Sequence, residues 1–440
     1  MAKKIYDWEG GAILEDHTKK KHKILKEYFR KYLLTRCQLP QCEKFRVSIV
    51  DAFSGAGVYA CNSFGSPLIF VEVLKNTTRE INISRLGRGM KPIKIECILI
   101  LNDKDKAAIN HLKENISPLL AGIQEERQDL TIHTEYFCED FDKLYPKIKN
   151  RLLQAKFNNV FFNLDQCGYT NVTSNIIRDI TQSWRSAEIL LTYMIASLLT
   201  YLSPASKNSN ILEPEIKEKI FLLLEDKNIN KQEWLSEAEI VVFRCFKGCA
   251  TYISPFSINN PKGWRYWLMH FANNYRARQV YNDVLHDCGE AQAHCGKAGL
   301  NMLSYDPSEA TQLYLFNSDS RHLAKESLYD DIPRLVAKSG DTMRINDFYA
   351  ETFSETPAHS DDIHEMIIEN PDLEVITEAG GTRKKPNTIK VTDTLKVCSQ
   401  RSWFSMFKIS EDKERSSNYA QKSNSEKKPS ESDKPKSDKI

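Results

Sequence analysis

The sequence predicts a doubly wound α/β domain followed by a smaller domain of three helices and a hairpin. Short apolar strands alternate with helical segments from Val47 onward, which is typical of a mostly parallel sheet. A small-residue turn at residues 53–57 follows the first strand, where open α/β sheets present backbone N–H groups to a ligand. Helical spacing then returns in three segments after Ser327.

Length and composition favour more than one domain in a soluble protein. The chain has 440 residues, which exceeds one ordinary hydrophobic core, and 41% of them are hydrophobic and 27% charged. The predicted domains are a basic helix packing on the core (1–40), an α/β domain (41–300), a winged-helix-like domain (301–395) and a disordered tail (396–440). A net charge of +2 excludes a global basic field that would draw nucleic acid.

Cysteine usage and apolar run lengths predict a cytoplasmic protein with no membrane span. The 11 cysteines are odd in number and scattered, and no signal peptide is recognisable, so reduced thiols are expected. The longest apolar stretch, Ile189–Leu202, is shorter than the ~20 residues that a membrane span needs.

A basic amphipathic helix is predicted over Asp16–Leu34, before the first strand. Its apolar residues recur at helical spacing, and five lysines lie between them: Lys19, Lys20, Lys21, Lys23 and Lys26. Such a face either meets phosphates or is solvated, and the solvated face is favoured because charge runs usually face water.

The stretch from Val47 to Tyr59 is the candidate ligand-binding element. Its strand ends at Asp51, and Gly55 and Gly57 allow a tight turn in which the backbone can approach a ligand. A helix is predicted over Ile69–Leu74, followed by a polar surface loop over Thr77–Lys91.

Acidic residues follow each of the next three predicted strands, Ile93–Leu101, Leu130–Phe137 and Asn158–Leu164. These acids are Asp103, Asp105, Asp140 and Asp165. Ligands of open α/β sheets bind at the carboxyl ends of the strands, so the acids are candidate site residues. Asp103 or Asp105 either accepts hydrogen bonds from ribose hydroxyls or caps the following helix.

The middle of the chain predicts an edge to this sheet. Glu239–Phe246 and Trp264–Asn273 are interpreted as an antiparallel strand pair joined by a polar link at Pro255–Gly263, after a charged insertion at Thr200–Glu233. Short cysteine–histidine spacings near Cys288, His294 and Cys295 raise the question of zinc, but they match no common finger, and loop or core positions are favoured.

The last predicted domain combines three helices with a basic-tipped hairpin, as a winged helix does. The helices are Leu328–Val336, Ile345–Phe353 and Ser360–Asn370, and the strands are Leu373–Thr377 and Asn387–Thr392.

The charges of this predicted domain argue against ordinary DNA reading. The third helix carries four acids, which phosphates would repel: Asp361, Asp362, Glu365 and Glu369. Arg383, Lys384 and Lys385 in the hairpin remain candidate nucleic-acid contacts, and protein contact or packing is an equal alternative.

An ordered set of motifs resembles the bacterial three-Cys-motif partner (TcmP) family. The motifs are His17-Thr18, Lys21-His22, Val50-Asp51-Ala52-Phe53-Ser54-Gly55-Ala56-Gly57-Val58-Tyr59, Gly65-Ser66-Pro67-Leu68, Asp103-Lys104-Asp105, Asp165-Gln166-Cys167-Gly168-Tyr169, Asn260-Pro261-Lys262-Gly263 and Tyr266-Trp267-Leu268. The resemblance spans residues 10–395. It implies a Rossmann-like, S-adenosylmethionine-dependent methyltransferase fold, a winged-helix-like segment, and a partner with a three-cysteine motif that resembles radical-SAM enzymes.

The same resemblance implies roles for individual residues. Asp51, Phe53, Gly55 and Gly57 would surround the methionine end of S-adenosylmethionine, and Asp103 would accept from the ribose. Asp140 would accept from the adenine amine, and Phe141 would cover the ring.

The residues after the fourth strand are the candidate catalytic group. Amino-methyltransferases carry an Asp-Pro-Pro-Tyr type motif there, and the TcmP family typically has Asp-Pro-Phe-Gly, whereas this chain has Asp165, Gln166, Cys167 and Gly168. Cys167 as a thiolate nucleophile is a minor alternative, because free cysteine is often simply buried.

The sequence therefore predicts an S-adenosylmethionine-binding protein of the methyltransferase class that acts on or near DNA or RNA with a protein partner. The alternative is a catalytically inactive adaptor for a neighbouring enzyme.

Overall fold

The computed structural model describes residues 12–126, 128–166, 168, 171–195, 198, 241–259, 265–289, 292–295, 299–300, 313–314 and 318–398. The chain divides into two compact units. The first takes the residues up to Leu328 together with Asn346–Ile363, and the second takes Tyr329–Ile345 together with the residues from His364. The domain boundaries read from the sequence stay predictions.

Helices and strands alternate through the first half of the chain. In order they are α1 (Asp16–Arg36), β1 (Lys44–Asp51), α2 (Ser66–Gly87), β2 (Lys94–Asn102), α3 (Lys106–Glu126), β3 (Leu130–Phe137), α4 (Phe141–Gln154), β4 (Asn159–Leu164), α5 (Ser174–Ser183) and β5 (Ser186–Tyr193). There follow β6 (Tyr252–Asn259), β7 (Arg265–Ala272), α6 (Tyr275–Cys288), β8 (Gln292–Cys295), β9 (Leu313–Tyr314), α7 (Ser318–Lys338), β10 (Thr342–Arg344), α8 (Ile345–Thr352), α9 (Ser360–Glu369), β11 (Leu373–Ile376) and β12 (Thr394–Val397).

The main sheet confirms the predicted mixed α/β class. Its strand order is β3-β2-β1-β4-β5-β7-β6-β8-β9. Strands β1 to β5 are parallel, and β7 runs antiparallel to both β5 and β6. The carboxyl ends of β1 to β4 therefore meet at one edge, and β1 lies where the order reverses between β2 and β4. This topology is consistent with a Rossmann-like methyltransferase fold.

Helices cover both faces of the main sheet. One apolar core joins the sheet to α1, α2, α3 and α6, and a second core joins it to α4 and α5. Burial on both faces explains the continuous apolar runs that mark β1, β2 and β4 in the sequence.

The predicted surface loop at Thr77–Lys91 is wrong, because α2 continues to Gly87. Two polar residues of this stretch, Asn82 and Arg85, are buried partners of backbone groups. The Arg85 guanidinium donates to five carbonyl oxygens, including those of Cys37 and Leu39. The Asn82 side-chain amide donates to the Ile93 carbonyl and accepts from the Ile93 N–H. Polarity in this stretch therefore marks a buried hydrogen-bonding face of the helix.

The predicted edge strand at Glu239–Phe246 is also wrong, because residues 241–246 are helical. Val242 and Phe246 lie four positions apart and are both buried, a helical spacing that the β-branched composition obscured. The true partner of β7 is β6, Tyr252–Asn259, which overlaps the predicted polar link at Pro255–Gly263. An antiparallel pair exists, but its first strand lies elsewhere in the sequence, and the pair lies between β5 and β8 and not at the predicted edge.

The second unit contains a three-stranded sheet of order β10-β12-β11. The predicted strand Asn387–Thr392 is wrong: a short 3-10 helix occupies Pro386–Thr388, and β12 begins at Thr394. Lys396 and Val397, assigned to the disordered tail, belong to β12, and the tail from residue 399 lies outside the described residues. The winged-helix assignment stays a prediction.

A buried polar cluster fixes α1 against the main sheet. The Tyr28 hydroxyl oxygen lies 2.5 Å from Glu188 Oε2 on β5 and 2.7 Å from His270 Nε2 on β7. Burial raises the pKa of Glu188 to about 7 and holds the pKa of His270 well below its ordinary value. These contacts position the helix that also carries Lys21.

Candidate functional site

Asp51 closes β1 with a fully buried carboxylate at the base of the glycine turn. Its Oδ1 accepts from the Asn163 side-chain amide of β4 at 3.0 Å, and its Oδ2 is buried without a hydrogen-bond partner. Burial raises the pKa of Asp51 to about 7, while Ser66 and Asn163 counteract part of the rise. A buried acceptor without a partner is costly unless a ligand supplies the donor.

The turn after Asp51 requires glycine at two positions. Gly55 and Gly57 both have positive φ, at 57° and 78°. A Cβ on Gly57 would come within 2.6 Å of the side chains of Leu68 and Leu112, so this glycine is also needed for packing. The sequence therefore forms a compact turn whose main chain lies at the carboxyl edge of the sheet.

Asp103, at the end of β2, holds the glycine turn from the neighbouring strand. Its Oδ2 accepts from the Gly55 backbone N–H at 2.9 Å, and its Oδ1 accepts from the Asp105 N–H at 2.9 Å. Burial raises the pKa of Asp103, and these backbone hydrogen bonds oppose the rise. Each carboxylate oxygen has lone pairs left for further donors, so the predicted ribose contact remains compatible with this geometry.

Of the two roles predicted for Asp103 or Asp105, Asp105 has the helix-capping contact. Its Oδ1 accepts from the Ala107 N–H at 2.8 Å, directly before α3 begins at Lys106. Asp105 therefore caps the helix, and Asp103 is the acid that faces the glycine turn.

Asn102 is a site residue that the sequence reasoning did not single out. Its side-chain amide donates to the carbonyls of Ala52 and Glu139 and accepts from the Glu139 N–H, so it connects the ends of β1, β2 and β3. The signal was present in the sequence: an amide residue closes an otherwise apolar buried strand, as Asn163 does in β4.

The residues predicted around adenine have unequal access. Asp140 is partly exposed and pairs with Lys104 and Lys143, which hold its pKa below the ordinary value. Phe141 is only 2% exposed and belongs to the second core. The ring centroid of Phe53 lies 6.0 Å from that of Phe141. Phe53 is partly exposed, so its ring is the more accessible of the two.

Asp165, after β4, forms an ion pair with Lys21 of α1. Lys21 Nζ lies 2.6 and 2.7 Å from the two carboxylate oxygens, and the side chains are 13% and 25% exposed respectively. Burial alone would raise the pKa of Asp165, but Lys21, Thr192 and His22 together hold it below the ordinary value.

The favoured interpretation of a solvated lysine face is therefore wrong for Lys21. Lys21 precedes the buried Ile24 and Tyr28 by three and seven positions, which places it on the packed face of α1. That spacing was the signal that separates it from the exposed Lys19 and Lys23.

Further polar groups lie near this ion pair. His22 has its pKa lowered to about 4 by burial and by Lys21, so its ring is neutral at pH 7. Gln166 is 1% exposed, its Oε1 accepts from the Asn171 and Val172 N–H groups, and its Nε2 has no hydrogen-bond partner. Cys167 lies outside the described residues, and Gly168 contributes its carbonyl to the Met194 N–H.

The structure brings Asp51, Asp103 and Asp165 together. Asp103 and Asp165 both raise the pKa of Asp51 by charge repulsion, whereas Asp140 lies apart with its two lysines. Among the described residues, no group of three or more histidine, cysteine or acidic side chains is arranged to hold a metal ion. The side chains of His294 and Cys295 lie outside that description.

In the second unit, Arg383 is committed to an internal contact. Its guanidinium donates to both oxygens of Asp393, which is 1% exposed, at 2.9 and 3.1 Å. Lys384 and Lys385 are exposed. Of the three predicted nucleic-acid contacts, these two lysines are the exposed ones, and Arg383 is partly buried in its pair with Asp393.

Comparison with known proteins adds no argument about this site. In the described part of the chain, none of the helices has the length and apolarity to span a bilayer. No family model and no curated protein matches the chain. The solved structure of a loganic acid methyltransferase with SAH is similar at 9% sequence identity over 63% of this chain and 85% of that chain, with a TM-score of 0.22. A similarity at that level carries no argument about activity.

Proposed function

We propose that this protein binds S-adenosylmethionine at the carboxyl edge of β1 and β2 and belongs to the methyltransferase class. The observation that carries the proposal is the combination at the end of β1: a glycine turn with positive φ, fastened by Asp103, above an Asp51 carboxylate oxygen without a partner. It lies where the strand order reverses, which is where open α/β sheets bind ligands.

The residues at this edge fit the chemical groups of the cofactor. The Asp51 carboxylate would attract the ammonium of the methionine end by its charge, Asp103 would accept from a ribose hydroxyl, and the partly exposed Phe53 ring offers an apolar surface. When bound, S-adenosylmethionine would supply an electrophilic methyl group. The chain's own contribution at this edge is to bind and orient the cofactor through these groups.

Calorimetric titration of the full chain with S-adenosylmethionine tests the proposal. We expect one binding event, weakened at least about tenfold in Asp103→Ala because the variant releases the Gly55 backbone. Asp105→Asn is the matched control: asparagine is a good cap, so affinity should stay unchanged. A folded protein that shows no binding would rule the proposal out.

The second candidate is a catalytically inactive adaptor, and the Lys21–Asp165 ion pair favours it. The acid at the position that binds the acceptor nitrogen in amino-methyltransferases has both oxygens occupied by a lysine. An assay for S-adenosylhomocysteine release in the presence of nucleic acid and the partner separates the two: turnover supports an enzyme, and cofactor binding without turnover supports the adaptor.

The motifs quoted from the sequence support a narrower proposal. It assigns the chain to the TcmP family, with a three-cysteine-motif, radical-SAM-like partner and a role on or near DNA or RNA in the cytoplasm. In the second unit, the exposed Lys384 and Lys385 would contact phosphates. Binding of the chain to RNA and DNA duplexes, compared with a Lys384→Ala/Lys385→Ala variant, tests the nucleic-acid part.

A further inference from the structure

The group that follows β4 carries no net charge, although its sequence position holds an acid. Lys21 Nζ contacts both oxygens of Asp165, and both side chains are mostly buried. The neighbouring His22 is neutral, and the buried Gln166 offers an amide nitrogen without a partner. Among the described residues, Asp51 on the side of the glycine turn is an acid without a cation partner, and the Asp165 charge raises its pKa.

Lys21, the positive partner of Asp165, lies on α1, which is outside the strand–helix repeat that forms the sheet. α1 precedes β1 in the chain, and Tyr28, two turns after Lys21, is hydrogen-bonded to Glu188 and His270 in the core. The helix is thus fixed independently of the ligand edge. Lys21 is held where it meets Asp165, and the ring of Tyr266, 5.7 Å from Nζ, borders it.

We propose that Lys21 is a specificity-determining residue of this site: by pairing with Asp165 it excludes cationic amine acceptors and selects a neutral or anionic acceptor group. The inference rests on the proposed binding of S-adenosylmethionine at the same edge. An unpaired carboxylate after β4 would attract an ammonium group, whereas the Lys21–Asp165 ion pair carries no net charge.

Two ligands that differ in one charge provide the test without requiring an acceptor. S-adenosylmethionine carries a sulfonium cation, and S-adenosylhomocysteine carries a neutral thioether in its place. The ratio of their dissociation constants, measured by calorimetry on the full chain, therefore reports the charge beside the reacting centre. The two ligands differ in the methyl group and its charge and share every other group, so changes in packing away from the methyl group affect both affinities alike.

The two single variants should move this ratio in opposite directions. Lys21→Met leaves Asp165 unpaired, so preference for S-adenosylmethionine should rise by about tenfold. Asp165→Asn leaves Lys21 unpaired, so the same preference should fall by a similar factor. Lys21→Arg retains the pair, and Lys23→Met removes an exposed lysine from the same helix, so both should match the wild type.

The possible outcomes separate the specificity role of Lys21 from cofactor binding itself. Opposite shifts in the two variants support the assignment of Lys21. If the wild type binds both ligands and neither variant changes their ratio, the specificity role is overturned and cofactor binding stands. If the folded wild type binds neither ligand, both proposals fall. Should Lys21→Met not fold, Asp165→Asn carries the test alone.

Discussion

The two sides of the candidate site are built in different ways. At the ends of β1 and β2, the main chain forms the surface: a glycine turn is fastened by Asp103, and Asp51 keeps a carboxylate oxygen without a partner. After β4, side chains form the surface, and the acid is neutralised by Lys21 from α1. On the first side, the Asp51 carboxylate has no cation partner. On the second side, the Asp165 carboxylate is paired with Lys21. We therefore expect the proposed cofactor binding and the proposed acceptor choice to be separable by substitution.

The largest effect is expected at the turn that forms the first side. Gly57→Ala forces a residue with a Cβ into positive φ and against Leu68 and Leu112, so the free energy of unfolding should fall by about 2–4 kcal/mol. Gly87→Ala, at the end of α2 with open space around it, should leave stability nearly unchanged. Chemical denaturation measures both, and equal losses would contradict the account of the turn.

The ion pair of the second side should contribute more to stability than an exposed pair on the same helix. Lys21→Met should lower the free energy of unfolding by about 2 kcal/mol, because Asp165 remains largely buried without its partner. Lys26→Met removes a more exposed pair with Glu72 and should cost less than about 1 kcal/mol.

The stability difference between the wild type and Lys21→Met should disappear at acidic pH. Since Asp165 has its pKa held below 3.8, the pair stabilises the fold above that pH and loses its contribution as the pH falls through the lowered value. Denaturation curves for the wild type and Lys21→Met should therefore converge in acid. Curves that stay parallel from pH 7 to acid would contradict the ion pair as the cause.

The unpaired anion of the first side predicts a pH dependence of binding. Burial raises the pKa of Asp51 to about 7, so the ionised form grows, and affinity for the cationic cofactor should increase, as the pH rises from 6 to 8. A change of about tenfold is expected, and Asp51→Asn should abolish it. Because the amino group of the ligand titrates near the upper end of this range, the variant serves as the reference at each pH.

The smallest effect separates Asp103 from its neighbour. Asp105→Ala removes the cap of α3 and should lower the free energy of unfolding by about 1 kcal/mol while cofactor affinity stays unchanged. Thermal unfolding and calorimetry on the same samples give both values. Loss of affinity in this variant would place Asp105, and not only Asp103, in the ligand contact.

Much of the fold could be predicted from the sequence, because apolar strands and helical spacing are local signals. β3 occurs at the predicted residues, Leu130–Phe137. The errors arose where tertiary structure overrides local composition. Polar residues such as Asn82 and Arg85 are buried and hydrogen-bonded in α2, and the β-branched Val242 lies in a helix.

The candidate site was predictable only where it follows strand order. Asp51, Asp103 and Asp165 come together because parallel strands end at one edge. The sequence did not predict that Lys21 would pair with Asp165, because that contact joins residues 144 positions apart through the packing of α1. The sequence likewise did not predict that Arg383 would pair with Asp393, because that contact depends on the folded loop.

Hydrogen–deuterium exchange with and without S-adenosylmethionine tests the central claim most directly. We expect slower exchange at the backbone amides of residues 53–58 and 102–106 on addition of the cofactor, and little change in residues 329–345 and 364–398. No protection at the glycine turn, or protection confined to the second unit, would contradict cofactor binding at the carboxyl edge of β1 and β2.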